Sequence, residues 1–154
     1  MKKFIIRNAT FDDIDAIVQF NAAMAFETEQ KKLDRTVLRQ GVKAIIDDPS
    51  LGRYFIADAG EVIGQTLITT EWSDWRNSAF WWIQSVYVSP EWRQQGVFRA
   101  LYEHIYAIAE KTPLVCGLRL YVEKENHIAR QTYQKIGMTI TPYAFYVIEF
   151  KKQA

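Results

Sequence analysis

The chain has 154 residues, of which 49% are hydrophobic and 24% charged, and its formal net charge is +1. That length suits one domain with a buried core, and the near-neutral balance offers no basic field for nucleic acid or an anionic membrane surface. Cys116 is the single cysteine and there are two histidines, which excludes an internal disulfide framework and a metal cluster of the usual soft ligands.

The chain opens Met1-Lys2-Lys3-Phe4-Ile5-Ile6-Arg7. Its apolar run is too short for the core of a signal peptide, and no later stretch is long enough to span a bilayer. A cytoplasmic protein without membrane association is expected. Phe4 to Arg7 reads as a first strand. Thr10-Phe11-Asp12-Asp13 has the form of a capping box, and Ile14, Ile17, Val18 and Ala22 follow at helical spacing to about Phe26. A second helix is expected from Asp34, with Val37, Leu38, Val42 and Ile45 on one face and Pro49 beyond its end.

The pattern then turns to strands. Tyr54 to Ala57 and Val62 to Thr70 are joined by a tight turn at Asp58-Ala59-Gly60, and Phe80 to Val88 is a third strand that Ser89-Pro90 breaks. Val97, Leu101, Ile105 and Ile108 mark a helix after Gly96. Leu118 to Val122 alternates as a half-buried strand does; Ile128, Ala129, Thr132, Tyr133 and Ile136 form another helical face, with Gly137 as its C-cap. Tyr143 to Phe150 reads as a last strand. The predicted order, β-α-α-β-β-β-α-β-α-β, describes one α/β (α+β) domain over residues 1–154, with a parallel crossover where a helix joins two strands.

Aromatics are 14% of the chain, and Trp72, Trp75, Trp81 and Trp82 crowd one region. They suit either the core of a hairpin or a subunit interface of a homodimer.

The segment from Val86 to Leu101 carries the most chemistry. A strand ends, a short polar loop with a glycine follows, and a helix begins. The first amides of a helix have no intrahelical acceptor and the helix dipole places positive charge there, so this junction suits an anion. Gly96 lets the backbone approach a phosphate, while Arg93 and Arg99 add mobile positive charge.

This segment resembles the acyl-CoA loop of the GCN5-related (GNAT) N-acetyltransferases: Arg or Gln, any two residues, Gly, any residue, then Gly or Ala. Arg93 and Gly96 match, followed by Arg99-Ala100-Leu101, and a valine-rich strand precedes them. Asn126, Ala129, Tyr133 and Gly137 match the family's later Asn, Ala, Tyr and Gly. Phe98 departs from the pattern, which usually has Gly or Ala there. The resemblance implies a mixed central sheet of about six to seven strands flanked by about four helices, with acetyl-CoA as co-substrate and no metal. It also implies that Val86, Tyr87 and Val88 hydrogen-bond the pantetheine arm like an added strand. Main-chain groups of Gln94, Gln95, Gly96, Val97, Phe98 and Arg99 would hold the pyrophosphate, and Asn126 would contact the pantetheine arm or simply cap its helix.

By the same resemblance Tyr133 is the general acid that protonates the departing CoA thiolate, a role open to a phenol neutral at pH 7. The strand from Phe80 to Val86 carries no acid, so the base for the acceptor lies elsewhere or is a water chain. Glu71 and Asp74 in a loop, and Glu27 and Glu29 after the first helix, are the nearest acids. With Trp72 and Trp75 they suggest a box for a cationic amine; as solvated loop charges they would do nothing. Gln84 can orient substrate or water but cannot act as base. The expected acceptor is a small-molecule amine, cationic or amino-acid-like. Acetylation of a protein lysine or N-terminus, and a non-catalytic acyl-CoA-binding domain, are the alternatives.

Overall fold

In the strand Arg53–Asp58, Tyr54 and Ile56 point to one side and Phe55 and Ala57 to the other, and all four are buried. A strand apolar on both faces must lie between two layers. The computed structural model describes residues 3–152 and shows those layers. The chain divides into two units, one running to Leu120 and the other beginning at Tyr121.

The first unit is built on a five-stranded sheet whose spatial order is the chain order: β1 (Ile5–Asn8), β2 (Arg53–Asp58), β3 (Val62–Ser73), β4 (Ser78–Val88) and β5 (Val115–Arg119). The first four pair antiparallel and β5 joins β4 in parallel, as the intervening helix requires. Helices α1 (Ile14–Glu29) and α2 (Arg35–Asp47) cover one face. There Ile14, Ile17, Val18 and Val42 pack with Tyr54, Ile56 and Leu67. Helix α3 (Val97–Lys111) covers the other face, where His104 meets the Phe55 ring edge-on at 5.6 Å. A Cβ on Gly64 would come within 2.9 Å of Val97 Cγ1, so the start of α3 rests directly on β3. Ile17, Ile56, Leu101 and Ile105 are wholly buried, and each such side chain contributes roughly 1.5–3 kcal/mol.

Capping follows the sequence closely. The Asp34 Oδ1 accepts the amides of Thr36 and Val37 at 2.9 and 3.1 Å, starting α2. The Asp13 carboxylate accepts the Thr10 amide at 2.7 Å, closing a short turn that leads into α1.

Several boundaries differ from expectation. Helix α1 continues past Phe26 to Glu29, so Glu27 and Glu29 stand on its last turn rather than after it. Strand β3 runs to Ser73 and thereby takes in Glu71 and Trp72, which were expected in a loop. Strand β5 spans Val115–Arg119 instead of Leu118 to Val122, because the Ala79 amide pairs with the Leu114 carbonyl at 2.8 Å and sets the register early. Five strands are present among the described residues, not six to seven.

The second unit contains α4 (His127–Lys135), capped by Asn126, whose Oδ1 accepts the Ala129 amide at 3.1 Å. Gly137 follows at φ +95°, the left-handed conformation expected of a C-cap. Tyr121 and Phe145 stack with centroids 5.4 Å apart. Tyr143 to Phe150 forms no strand: alternating β-formers need a partner edge to make a ladder, and Tyr146 is 93% exposed.

Arg7 ties the sheet edge to the first helix. Its guanidinium donates to both oxygens of Asp13, at 2.7 and 2.9 Å, and to Asp58 at 2.8 Å. The Arg7 hydrogen bonds hold both carboxyls below the ordinary aspartate value of 3.8. A depressed folded-state pKa gives stability that is present above the unfolded value and lost as pH falls through the folded one. Stability should therefore hold from neutral pH to about pH 5 and decline below it. Asp13→Asn should cost roughly 1.5–3 kcal/mol at pH 7 and flatten that decline, both read from urea midpoints across pH. An acid decline that the substitution leaves untouched would place the linkage elsewhere.

Candidate active site

Strand β4 has neighbours of unequal length. Against β3 it pairs along its whole length, but against β5 only from Ala79 to Trp82. From Ile83 to Val88 it has no strand partner on that side among the described residues, so its backbone groups face an open edge. An extended ligand with amides can use such an edge as an added strand does. The ladder with β3 slips between Gln65 and Leu67, and Ser85 in the bulge sits at φ +51°.

After Val88 the chain passes through the turn Pro90–Trp92 into four exposed residues, Arg93 to Gly96, and then α3. Gln94 and Gly96 are both left-handed, at φ +62° and +80°. Alternation of this kind turns successive N–H groups toward one side and forms an anion-binding concavity. The space beside Gly96 is open, so the glycine is needed for its φ and not for room. The first backbone bond of α3 runs from the Ala100 amide to the Gly96 carbonyl at 3.0 Å, and the amides of the first turn point outward along the axis. Phe98, the odd residue of the motif, lies half-buried with its ring 6.3 Å from that of Tyr102.

Arg93 is turned inward by three contacts. Its Nε donates to the Val88 carbonyl and one Nη to Glu27, both at 2.9 Å, and its guanidinium lies 5.3 Å from the Tyr87 ring centre. Tyr87 donates its hydroxyl to the other Glu27 oxygen at 2.9 Å and packs against Phe20 of α1. The Val88 carbonyl is thus engaged within the protein. Burial works against the Glu27 charge, but the bonds from Arg93 and Tyr87 outweigh it and hold the carboxyl below its ordinary range. Arg99 pairs with Glu103 one turn along α3. The structure therefore gathers Glu27, Tyr87, Val88 and Arg93 at the end of β4.

The remaining acids lie apart from that group. Glu71 accepts the Trp82 indole N–H at 2.7 Å and faces Arg119 at 3.3 Å, while Arg119 sits 3.5 Å from the Phe80 ring centre. Asp74 and Trp75 form the exposed tip of the β3–β4 hairpin, and the Asp74 side chain accepts the Trp75 amide. At the rise of a strand that tip is roughly 30 Å from Val88. Trp72 and Trp75 are 57% and 86% exposed and enclose no box. Gln84 donates to Thr69 across the ladder. Glu29 is exposed beside Glu27, and no basic residue stands in the last turn of α1.

In the second unit Tyr133 is half-buried on α4, and burial pushes its phenol above the ordinary value of 10.0. Among the described residues no group of three or more His, Cys, Asp or Glu is placed to hold a metal ion, and no helix is long and apolar enough to cross a membrane. Missed from the sequence were Asn21 and the Gln65-Thr66 pair, all fully buried. The signal was present: two polar residues side by side within the apolar run Val62 to Ile68.

The acetyltransferase (GNAT) family model matches residues 14–138. A possible acetyltransferase from Clostridium difficile 630 has 45% identity and a TM-score of 0.90, over 97% of this chain and 99% of that one. A ribosomal-protein-alanine N-acetyltransferase from Brucella melitensis biovar Abortus 2308 shares the fold at 17% identity and TM-score 0.77, over 97% and 100% of the two chains. So does a predicted acetyltransferase from Clostridium acetobutylicum, solved with acetyl-CoA, at 16% and 0.76 over 95% and 96%. No curated protein matches the chain. With the family model taking in most of the sequence and a relative this similar over nearly all of it, the chain belongs to the GNAT family and is an acetyl-CoA-dependent N-acetyltransferase.

Proposed function

We propose that the protein transfers the acetyl group of acetyl-CoA to the primary amine of a small cationic acceptor. The observation that carries the donor half is the open β4 edge running into a left-handed loop and the N-terminus of α3. On this reading Val86, Tyr87 and Val88 receive the pantetheine arm, and main-chain groups from Gln94 to Arg99 receive the pyrophosphate. Because Arg93 is bound to Val88 and Glu27, its part is to shape the loop, and the anion is held by amides. The family match takes in elements of both units, which supports reading the chain as one catalytic domain.

In the reaction the ammonium first loses a proton to water, the free amine nitrogen attacks the thioester carbonyl, the C–S bond breaks, the nitrogen releases its second proton to water, and the thiolate takes a proton. Tyr133 is the proposed donor. Its raised pKa keeps the phenol protonated throughout the neutral range, and a group that donates a proton must hold one. The acceptor half rests on the C-terminal turn of α1. Glu27 and Glu29 stand at the negative end of the helix dipole, and only Glu27 has an arginine against it. A spot so charged favours an ammonium over a neutral or anionic compound.

Gly96→Pro replaces a residue at φ +80° with one fixed near −65° and removes an amide. Acetyl-CoA affinity by calorimetry should fall at least about tenfold; unchanged affinity would remove the pyrophosphate from this loop. Tyr133→Phe keeps the ring and deletes the hydroxyl, so kcat should fall by roughly 10²–10⁴ with little change in Tm. The wild-type kcat should persist to alkaline pH and drop only above the ordinary phenol value of 10.0. Full turnover by Tyr133→Phe would end that assignment. For the acceptor, Glu29→Gln should raise KM for a diamine about three- to tenfold and leave a neutral amine unaffected. Equal turnover of cationic and anionic amines by the wild type would rule out a cationic acceptor.

A further inference from the structure

A ring of buried polar side chains gathers beside Ser85 in the β4 bulge. Gln65 of β3, with no exposed surface, donates from Nε2 to the Ser85 carbonyl at 3.1 Å and to Asn21 Oδ1 at 2.9 Å. Asn21 of α1, 5% exposed, donates in turn to the Tyr54 hydroxyl of β2 at 3.2 Å. Burial raises the Tyr54 phenol, and the neighbouring Asn21 and Ser85 side chains partly offset that rise, so Tyr54 also lies beside Ser85. Beside it Thr66 donates from Oγ1 to the Gln84 carbonyl at 3.0 Å. Two successive β4 carbonyls are therefore held by β3 side chains where the ladder slips.

Stability alone does not account for the ring. Polar groups cost free energy to bury unless they are hydrogen-bonded, and Gln65 Oε1 meets no donor among the described residues. Ser85 is at φ +51°, a conformation that a serine adopts only when its surroundings impose it. Gln65, Asn21 and Tyr54 come from three different elements and hold that one residue through Gln65, at the point where β4 continues without a strand partner on its β5 side among the described residues.

We propose that Gln65, with Asn21 and Tyr54, is a positioning residue for acetyl transfer: the ring fixes the left-handed bulge at Ser85 and so sets the direction in which the open edge from Val86 to Val88 presents its backbone to the acyl donor. The proposal rests on the reading of that edge as the pantetheine site. It predicts that binding follows the bulge rather than stability. Asn21→Leu/Gln65→Met removes one hydrogen-bonded pair and leaves the Ser85 carbonyl and the Tyr54 hydroxyl without their donors, so Tm should fall modestly in a protein that still folds. Acetyl-CoA affinity of the folded protein should nevertheless fall about tenfold, the scale of one misplaced hydrogen bond. Adding Ser85→Gly should restore part of that affinity, because glycine takes positive φ without a ring to hold it.

The test is acetyl-CoA calorimetry on the wild type, the double variant and the triple variant, with Tm measured for each. Wild-type affinity in a folded double variant would overturn the proposal, and so would a loss that Ser85→Gly leaves unrepaired. If the double variant does not fold, Gln65→Glu takes its place: a neutral buried carboxyl has one donor, so one of the two bonds must go, and unchanged affinity would again overturn the role. Absence of acetyl-CoA binding by the wild type would sink the pantetheine reading together with the proposal. Binding by the wild type without loss in the variants sinks only the proposal.

Discussion

Each backbone amide and carbonyl in a sheet needs a partner, and a strand that outruns its neighbour leaves a row of them open. β4 meets that condition by having one complete side and one short side. The complete side, against β3, keeps the strand in place; the short side ends at Trp82. Everything proposed for the donor depends on this inequality. It also explains why the packing around β4 is so closely specified: Gly64 admits Val97 of α3 from one face, and Tyr87 rests on Phe20 of α1 from the other. A strand with an open edge needs firm support from both faces.

Charges in the first unit divide by burial into two kinds. Asp13 is 5% exposed and bonded to Arg7 through both oxygens, so that pair joins β1 to the start of α1 at a stake of kilocalories. Arg93 and Glu27 have side chains 45% and 40% exposed, and an ion pair in that setting contributes about 0–1 kcal/mol. Its value is geometric. Together with the Val88 and Tyr87 contacts it turns Arg93 inward, so that the loop presents its amides outward. A site that recognises an anion by fixed N–H groups discriminates by shape as well as by charge.

The helices α1, α2 and α3 are legible in the sequence because apolar residues recur at helical spacing, with Asp34 and Pro49 bracketing α2 and Gly96 preceding α3, whereas the end of α1 at Gln30, with neither Gly nor Pro, is misplaced. The donor loop is legible because its strand, glycine and helix are contiguous. What the sequence does not reveal are contacts across long separations. Glu27 and Arg93 are 66 residues apart, Glu71 and Arg119 are 48, and Asn21 and Gln65 are 44. Local pattern cannot tell a carboxylate facing water from one already matched with an arginine, which is why Glu71 read as a free loop acid. Strand ends fail for a related reason. Leu118 to Val122 alternates well, yet pairing begins at Val115 because β4 supplies the partner there, and Tyr143 to Phe150 alternates without a ladder.

The order of the sheet has a bearing on how the chain reaches its fold. Strands β2, β3 and β4 pair with close neighbours in sequence, whereas β1 pairs with β2 only across α1 and α2. Loop-closure entropy is modest for the local pairs, and local pairing forms faster than remote pairing. Strands β2, β3 and β4 form a meander with short connections, while the step from β4 to β5 must await α3. During synthesis the meander can therefore assemble while later segments are still being made. The edge of β4 beyond Trp82 would then be among the last surfaces to become defined, although it is the part of the sheet to which the proposed chemistry is assigned.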